Sequence, residues 1–428
     1  MGSTAGFLDD LFRTAIAAAH PSTCLPPHLP APPARGRLIV LAAGKAAGSM
    51  TEVAERHYLD AGLPPDRLTG LAVTRHGYGR PTRLIAVIEA GHPVPDAAGL
   101  AAAERALTLA NGAGADDLVL VLLSGGASAN WIAPAASLAF ADKQAVTRAL
   151  LKCGANIGEI NAVRKHLSRI KGGRLARCAQ PARVVTLAVS DVAGDDPAVI
   201  GSGPTVPDPS TLADARAVVA RYRLELPPAV HRALEDAENE TPKPGDPAFA
   251  TTSYRLIARP ADALRATEAA ARAAGYEPVL LGDRVEGEAR EVAAAHAQKA
   301  RETQRQGRRA VLISGGELTV TIRGHGRGGP NQEYALALAI ALDGAPGIAA
   351  LAGDTDGTDG GAGSAADPAG AAIDAGTLGR ARALGLDPAA FLADNNSTGF
   401  FERLDSLVWT GPTCTNVNDF RAILVDRT

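Results

Sequence analysis

The chain has 428 residues, 46% of them hydrophobic, with a formal net charge of −3. That length suits two or three domains, and the near-neutral balance argues against a dedicated nucleic-acid binder. Cys24, Cys153, Cys178 and Cys414 form no CxxC pair, which excludes a recognisable zinc site or disulfide framework and fits the cytoplasm; no apolar run approaches ~20 residues, so no membrane span is expected.

Residues 7–19 carry apolar positions at helical spacing and predict a helix, with Asp9 and Asp10 speaking against a signal peptide. A proline-rich connector follows, and then 37–42 reads as a buried parallel strand leading through Gly44-Lys45 into a helix. Strand-like runs recur at 70–74, 84–89 and 118–123, with helices at 97–110 and 141–154. This alternation predicts an α/β domain, Rossmann-like, with a mostly parallel sheet. The polar, proline-bearing stretch 222–250 marks a boundary, giving domains 1–240 and 241–428. Beyond it come strand 254–258, helix 261–274, strand 278–281, helix 286–306, strands 310–314 and 318–322, a helix from 331, and strands 348–352 and 406–410. The pair 310–322 reads as a hairpin, so the second α/β domain is expected to hold a mixed sheet.

In open α/β sheets ligands collect outside the carboxyl ends of strands, so the loops there are the candidates for chemistry. Gly44-Lys45 places a cation at a helix start, suited to a phosphate, although Ala46 stands where a Walker loop needs Ser or Thr. Two apolar runs end in Ser-Gly-Gly, at Ser124-Gly125-Gly126 and Ser314-Gly315-Gly316, and Glu317 follows the second; glycines there permit close backbone approach to a ligand. The run Arg164, Lys165, His166, Arg169, Lys171, Arg174 is read first as a solvated helix face, and second as a cluster holding a carboxylate or phosphate. Gly324, Gly326 and Gly329 match G-x-G-x-x-G, but late in the chain and after a hairpin strand; what remains is a glycine loop with Arg327 above a helix start, suited to anions. Asp354, Asp356 and Asp359 resemble an EF-hand loop without its closing glutamate, which argues against calcium. After the strand that ends at Ser190 stand Asp191, Asp195 and Asp196. Asp191 is the best candidate for a Mg²⁺ ligand beside phosphates, with Asp195 in support or capping a turn. No nucleophile elbow or zinc-protease motif is present. The residues alone point to a phosphotransferase without a Walker loop.

Several strings together resemble one family. AAGKAAGSM, GHPVPDAAG, LLSGGAS, the segment from Asp142 to Ala176 and SDVAGDDPAVIGSGPTVPDPST are similar to the N-terminal domain of class II glycerate kinases. ISGGELTVTIRGHGRGGPNQEYALA, DTDGTDG, DNNSTGFF and VWTGPTCTNVNDFRAILV are similar to the leucine-rich C-terminal domain of that family, and the likeness spans roughly 7–425. The resemblance implies ATP- and Mg²⁺-dependent phosphorylation of D-glycerate at the 2-hydroxyl, with two α/β domains and an active site in the cleft between them. It implies that Lys45 is the essential lysine, that Asp191 and Asp195 belong to a metal-associated loop, and that both Ser-Gly-Gly loops, Glu317, Arg327 and Asp354 line the cleft. On this reading glycerate's carboxylate rests near Ser124–Gly126 and Arg164 or Arg327, and Asp191 or Glu317 receives the hydroxyl proton. Three departures stand out: Pro330 where relatives carry Arg, Ala127 where Gly is usual, and a longer segment at 361–368. The runner-up is an NAD(P)H-dependent hydroxypyruvate reductase, supported by the glycine fingerprint. Small-molecule substrates, no nucleic acid, no membrane and a homodimer complete the expectations.

Overall fold

A computed structural model of the chain describes residues 4–361, 364 and 366–427, so three positions of the 361–368 segment, 362, 363 and 365, lie outside the described residues. The chain divides into two compact units, Cys24–Ile257 on one side and Met1–Thr23 with Ala258–Thr428 on the other.

The unit Cys24–Ile257 is built on six strands: β1 (Leu38–Ala43), β2 (Leu68–Arg75), β3 (Ala86–Ala90), β4 (Leu118–Leu123), β5 (Arg183–Val189) and β6 (Thr252–Ala258). Their order is β3-β2-β1-β4-β5-β6, and β1 to β5 pair in parallel. LIVLAA and LVLVLL are buried at every position, as strands covered on both faces must be. Helix Ala97–Asn111 starts where Asp96 accepts the Gly99 amide at 2.9 Å, a side-chain cap on an orphan donor. A separate apolar core joins helices Phe140–Lys152, Ile157–His166, Leu212–Arg221 and Pro228–Glu235 through Val146, Leu150, Val163, Val219 and Leu234. Reciprocal caps start two of them, Asn156 with Glu159 and Thr211 with Asp214. Strand 254–258, read in the sequence as opening the second sheet, is the outer strand of this first one.

The second unit holds β7 (Glu277–Gly282), β8 (Gly287–Glu288), β9 (Ala310–Ser314), β10 (Leu318–Thr319), β11 (Ile348–Asp354), β12 (Gly370–Ile373), β13 (Leu407–Val408) and β14 (Asp419–Val425). The main sheet runs β13-β12-β11-β14-β9-β7; β7 and β9 are parallel and the other neighbours antiparallel, so the sheet is mixed. The hairpin expected over 310–322 does not form. β9 pairs with β14 and β7, and the short β10 pairs with β8 in a two-stranded sheet of its own. Gly316 explains the break: at φ +100° it turns the chain away from β9, with its Cα against the Val285 backbone. Helix Thr4–Ala19 packs its Leu8, Phe12 and Ala15 face on this unit, with Phe12 stacked on Phe420 at 5.7 Å between centroids.

Candidate active site

The order β3-β2-β1-β4 reverses direction between β1 and β4, the point at which a doubly wound sheet leaves a crevice outside its carboxyl ends. Two predicted loops meet there. Ala43 and Leu123 are register partners, so Gly44-Lys45 and Ser124-Gly125-Gly126 leave the sheet side by side. They are hydrogen-bonded together. The Lys45 amide donates to Gly125 O at 2.7 Å, and the Ala46 amide to Ser124 Oγ at 2.9 Å. Ser124 is fully buried, so its hydroxyl fixes the start of the helix Ala47–Asp60 and, with it, the turn that holds Lys45 at the strand end.

The amides of Gly125 and Gly126 find no acceptor among the described residues. Gly126 has φ +86°, and a methyl built on it would meet His92 Cδ2 at 3.0 Å, His92 Nε2 at 3.1 Å and Lys45 Cγ at 3.3 Å. Open amides flanked by a lysine stem and an imidazole make an anion nest. His92, which stands in the string GHPVPDAAG, carries no role in the sequence, where a histidine between glycine and proline looks like any loop residue.

β5 lies beyond β4, so Asp191 follows the strand end two strand spacings from Lys45, about 10 Å across the sheet. Asp191 is partly buried. Asp195 sits at φ +57° with Oδ1 buried and unpartnered, whereas Asp196 caps its own turn through the Ala198 amide at 2.9 Å. Among the described residues no trio of His, Cys, Asp or Glu clusters as a full metal cage. One or two carboxylates with a free oxygen are what Mg²⁺ takes when phosphates and water fill the remaining positions.

The solvated face expected for 164–174 is overturned: Lys165, His166, Lys171 and Arg174 are buried and Arg164 is partly so. The glycine- and proline-rich stretch after Asp196 and the later polar segment 222–250 supply the partners. Lys165 pairs with buried Asp208 at 3.2 Å, and Asp208 also accepts from Ser210 and Thr241. His166 faces Glu240 at 2.9 Å; Lys243, the Leu212 amide and His166 outweigh burial and hold the Glu240 carboxyl down at about 2. The irregular backbone is thus a strap whose acids neutralise a buried basic helix end.

In the other unit the second Ser-Gly-Gly loop is held differently. Arg421, 1% exposed, donates to Gly315 O at 3.2 Å, Gly316 O at 3.4 Å and Asp419 Oδ2 at 2.8 Å, while the Ser314 hydroxyl is buried and unpartnered. Glu317 is exposed and Asp354 partly buried, its Oδ1 accepting the Asp356 amide. Asp356 in turn accepts from Thr358, so these acids shape a turn.

The glycine fingerprint has a packing explanation that removes it as a dinucleotide loop. Methyls on Gly324, Gly326 and Gly329 would stand 2.3–2.4 Å from Asp394, Asn396 and Asp359. The amides of Arg323, Gly324, His325 and Gly326 are all taken by residues 394 and 395. The helix start above, expected to suit anions, is also filled: both Asp359 oxygens accept from Asn331 and Gln332, backbone and side chain. Burial pushes the Asp359 carboxyl up to about 7, the Asn331 and Gln332 amides pull against it, and Asp419 pushes further. Arg327 is exposed and pairs with Glu402 at 3.1 Å. A cavity of about 660 Å³ lies at the opposite strand ends of this unit, between Ile348, Asp374 and Asp426, away from these loops.

The family model described as "Domain of unknown function (DUF4147)" matches residues 7–235, and that of the MOFRL family matches 310–419. The chain is 38% identical to the D-glycerate 2-kinase of Thermotoga maritima over 90% of its own length and 89% of the relative's. It is 48% identical, over 97% of its length and 93% of the other's, to an Agrobacterium vitis protein whose name, hydroxypyruvate reductase, is marked as provisional. A crystal structure of glycerate kinase from Thermotoga maritima superposes with a TM-score of 0.86 at 37% identity, covering 98% of this chain and 99% of the other.

Proposed function

The chain belongs to the DUF4147–MOFRL family that includes the D-glycerate 2-kinase of Thermotoga maritima, and from that membership we propose that it transfers the γ-phosphoryl group of ATP to the 2-hydroxyl of D-glycerate, giving 2-phosphoglycerate and ADP. The observation that carries the reading is the nest at the β1/β4 switch point, where open amides of Gly125 and Gly126 lie beside Lys45. Phosphoryl transfer needs little covalent chemistry from the protein; it needs the phosphates held in line and their charge offset. Backbone amides do this without reorganising, and Lys45 adds a full positive charge. Mg²⁺ is part of the proposal, with Asp191 and Asp195 as its holders; when bound it offsets charge on the phosphate oxygens. Asp191 or Glu317 takes the hydroxyl proton. Ser314, Gly315, Gly316, Arg327 and Asp354 are proposed as further substrate- or nucleotide-binding residues, the Arg327 side chain being held, among the described residues, by an exposed pair that costs little to break.

The reductase alternative has lost its support in the residues, because the fingerprint glycines are filled by the chain itself. Among the described residues the four cysteines form no disulfide, which supports a cytoplasmic setting. A coupled assay with D-glycerate, ATP and Mg²⁺, with phosphorus NMR on the product, tests the reading, and sedimentation tests the expected homodimer. Glycerate-dependent ADP release is expected, and Lys45→Ala should lower kcat by about 10²–10³-fold. Oxidation of NAD(P)H by hydroxypyruvate without ADP release would reverse it.

A further inference from the structure

Beside the nest, three cations gather with no acid among them. Lys143 Nζ donates to Arg164 O at 2.9 Å, Arg164 Nη2 to Ser128 O at 3.4 Å, and Lys171 Nζ to Ser128 O at 2.9 Å and Trp131 O at 3.0 Å. Lys143 and Lys171 are 2% and 1% exposed. Every one of these acceptors is a backbone carbonyl, and among the described residues no carboxylate pairs with any of the three. Burial, with the neighbouring Arg164, pushes both ammonium groups well below the usual lysine range. Buried positive charge without a counter-charge is costly, and an anion from outside the chain would relieve it.

A second observation points to where that anion sits. Asn161 precedes Arg164 by three residues, on the same face of the helix Ile157–His166. Its Oδ1 accepts from Ser202 Oγ at 3.3 Å, and Ser202 Oγ is 2.8 Å from Ser128 Oγ. Its Nδ2 is buried and has no acceptor. An orphan amide donor and a guanidinium with one long hydrogen bond therefore share a patch two residues along the chain from Gly126.

We infer that Asn161 Nδ2 and the Arg164 guanidinium form the seat for the carboxylate of the acceptor acid, with Lys143 and Lys171 as positioning residues behind them. A guanidinium fork matches a planar carboxylate with two parallel hydrogen bonds. Phosphate already has its place in the nest at Gly125 and Gly126. An acid anchored at Asn161 and Arg164 turns its neighbouring carbon toward that nest, so the substrate class is short 2-hydroxy carboxylates and neutral polyols are rejected. This assignment rests on the phosphotransferase reading above.

Asn161→Asp separates the possibilities. The substitution keeps the oxygen that accepts from Ser202, turns the orphan donor into a second acceptor, and gives the three cations a resident acid. The thermal midpoint should hold or rise, while KM for D-glycerate rises by about 10–100-fold and KM for ATP is unmoved. Arg164→Gln should show the same KM split, with partial rescue in Arg164→Lys. Preference for D-glycerate over glyceramide, its neutral amide, should fall by the same factor in both variants. Calorimetric titration of D-glycerate without ATP reads the seat independently of turnover. A folded Asn161→Asp that binds D-glycerate normally, or loses ATP and not glycerate, overturns the seat while leaving the kinase reading intact. A wild-type enzyme without glycerate-dependent ADP release overturns the kinase reading itself.

Discussion

Gly44→Ala tests how tightly the lysine loop is zipped to the first Ser-Gly-Gly loop. At φ +117° the added methyl would stand 2.4 Å from both Ser124 O and Ser124 Oγ and 2.7 Å from Gly125 O. The first two contacts are with a backbone atom and a fully buried hydroxyl, so neither can swing aside. The loops must part, and the bonds from the Lys45 and Ala46 amides, at 2.7 and 2.9 Å, go with them. A non-glycine residue forced into that backbone region costs about 1–3 kcal/mol, and two bonds with buried partners cost about 1–3 kcal/mol more. The sum, roughly 2–6 kcal/mol, is a large share of the ~5–15 kcal/mol that holds a domain folded. A displacement of the lysine by about 1 Å would also cost on the order of 100-fold in turnover. Urea unfolding followed by circular dichroism reads the first effect, and the coupled kinase assay the second. Gly62→Ala is the control, because Gly62 has φ +85° but nothing within 4 Å of its added methyl. Equal unfolding midpoints for the two variants, with unchanged kcat in Gly44→Ala, would show that the loops are not locked as described.

His296 is 9% exposed, and burial with nearby Arg421 holds its imidazole down at about 4. The unfolded chain takes a proton near pH 6.5 and the folded one does not, so stability present above that pH is lost as pH falls toward 4, by roughly 3 kcal/mol. His296→Gln should flatten that slope in denaturation midpoints measured from pH 4 to 8; an unchanged slope would rule His296 out as its source. Asp359→Ala removes the acceptor for four donors at the start of the helix Pro330–Leu342 and should lower stability by roughly 2–4 kcal/mol, with Asp359→Asn recovering part. Asp208→Ala strands buried Lys165 and should cost a similar roughly 3–5 kcal/mol, read by thermal unfolding; a loss below about 1 kcal/mol would mean the pair is not relied upon.

Apolar runs such as LVLVLL are legible because a strand covered on both faces leaves no polar position to blur the pattern. β14 was missed for the opposite reason. It lies inside the mixed sheet, yet DFRAILV carries Asp419 and Arg421, whose charges are balanced by each other, by Asn331 and by the Gly315 and Gly316 carbonyls. That balance is tertiary and leaves no mark in local periodicity. The basic run 164–174 misled in the same way, since its acids come from 208 and 240. The lysine and glycine loops were found because strand ends can be located from the strands. Lys143 and Asn161 were not, because each looks ordinary on its own helix, and Lys171 stood out only as one member of the basic run.

The position of β14 between β11 and β9 fixes an order of events during translation. Helix Thr4–Ala19 leaves the ribosome before any of the strands, yet Phe12 rests on Phe420 in β14, which follows β1 to β13. The segment Cys24–Ile257 emerges complete and can condense while downstream codons are still being read. Until Asp419–Val425 threads between its two neighbours, the opening helix can lean on helix Pro260–Ala273 and on β11, but Phe12 lacks the ring it stacks on, so its apolar face closes only when β14 arrives.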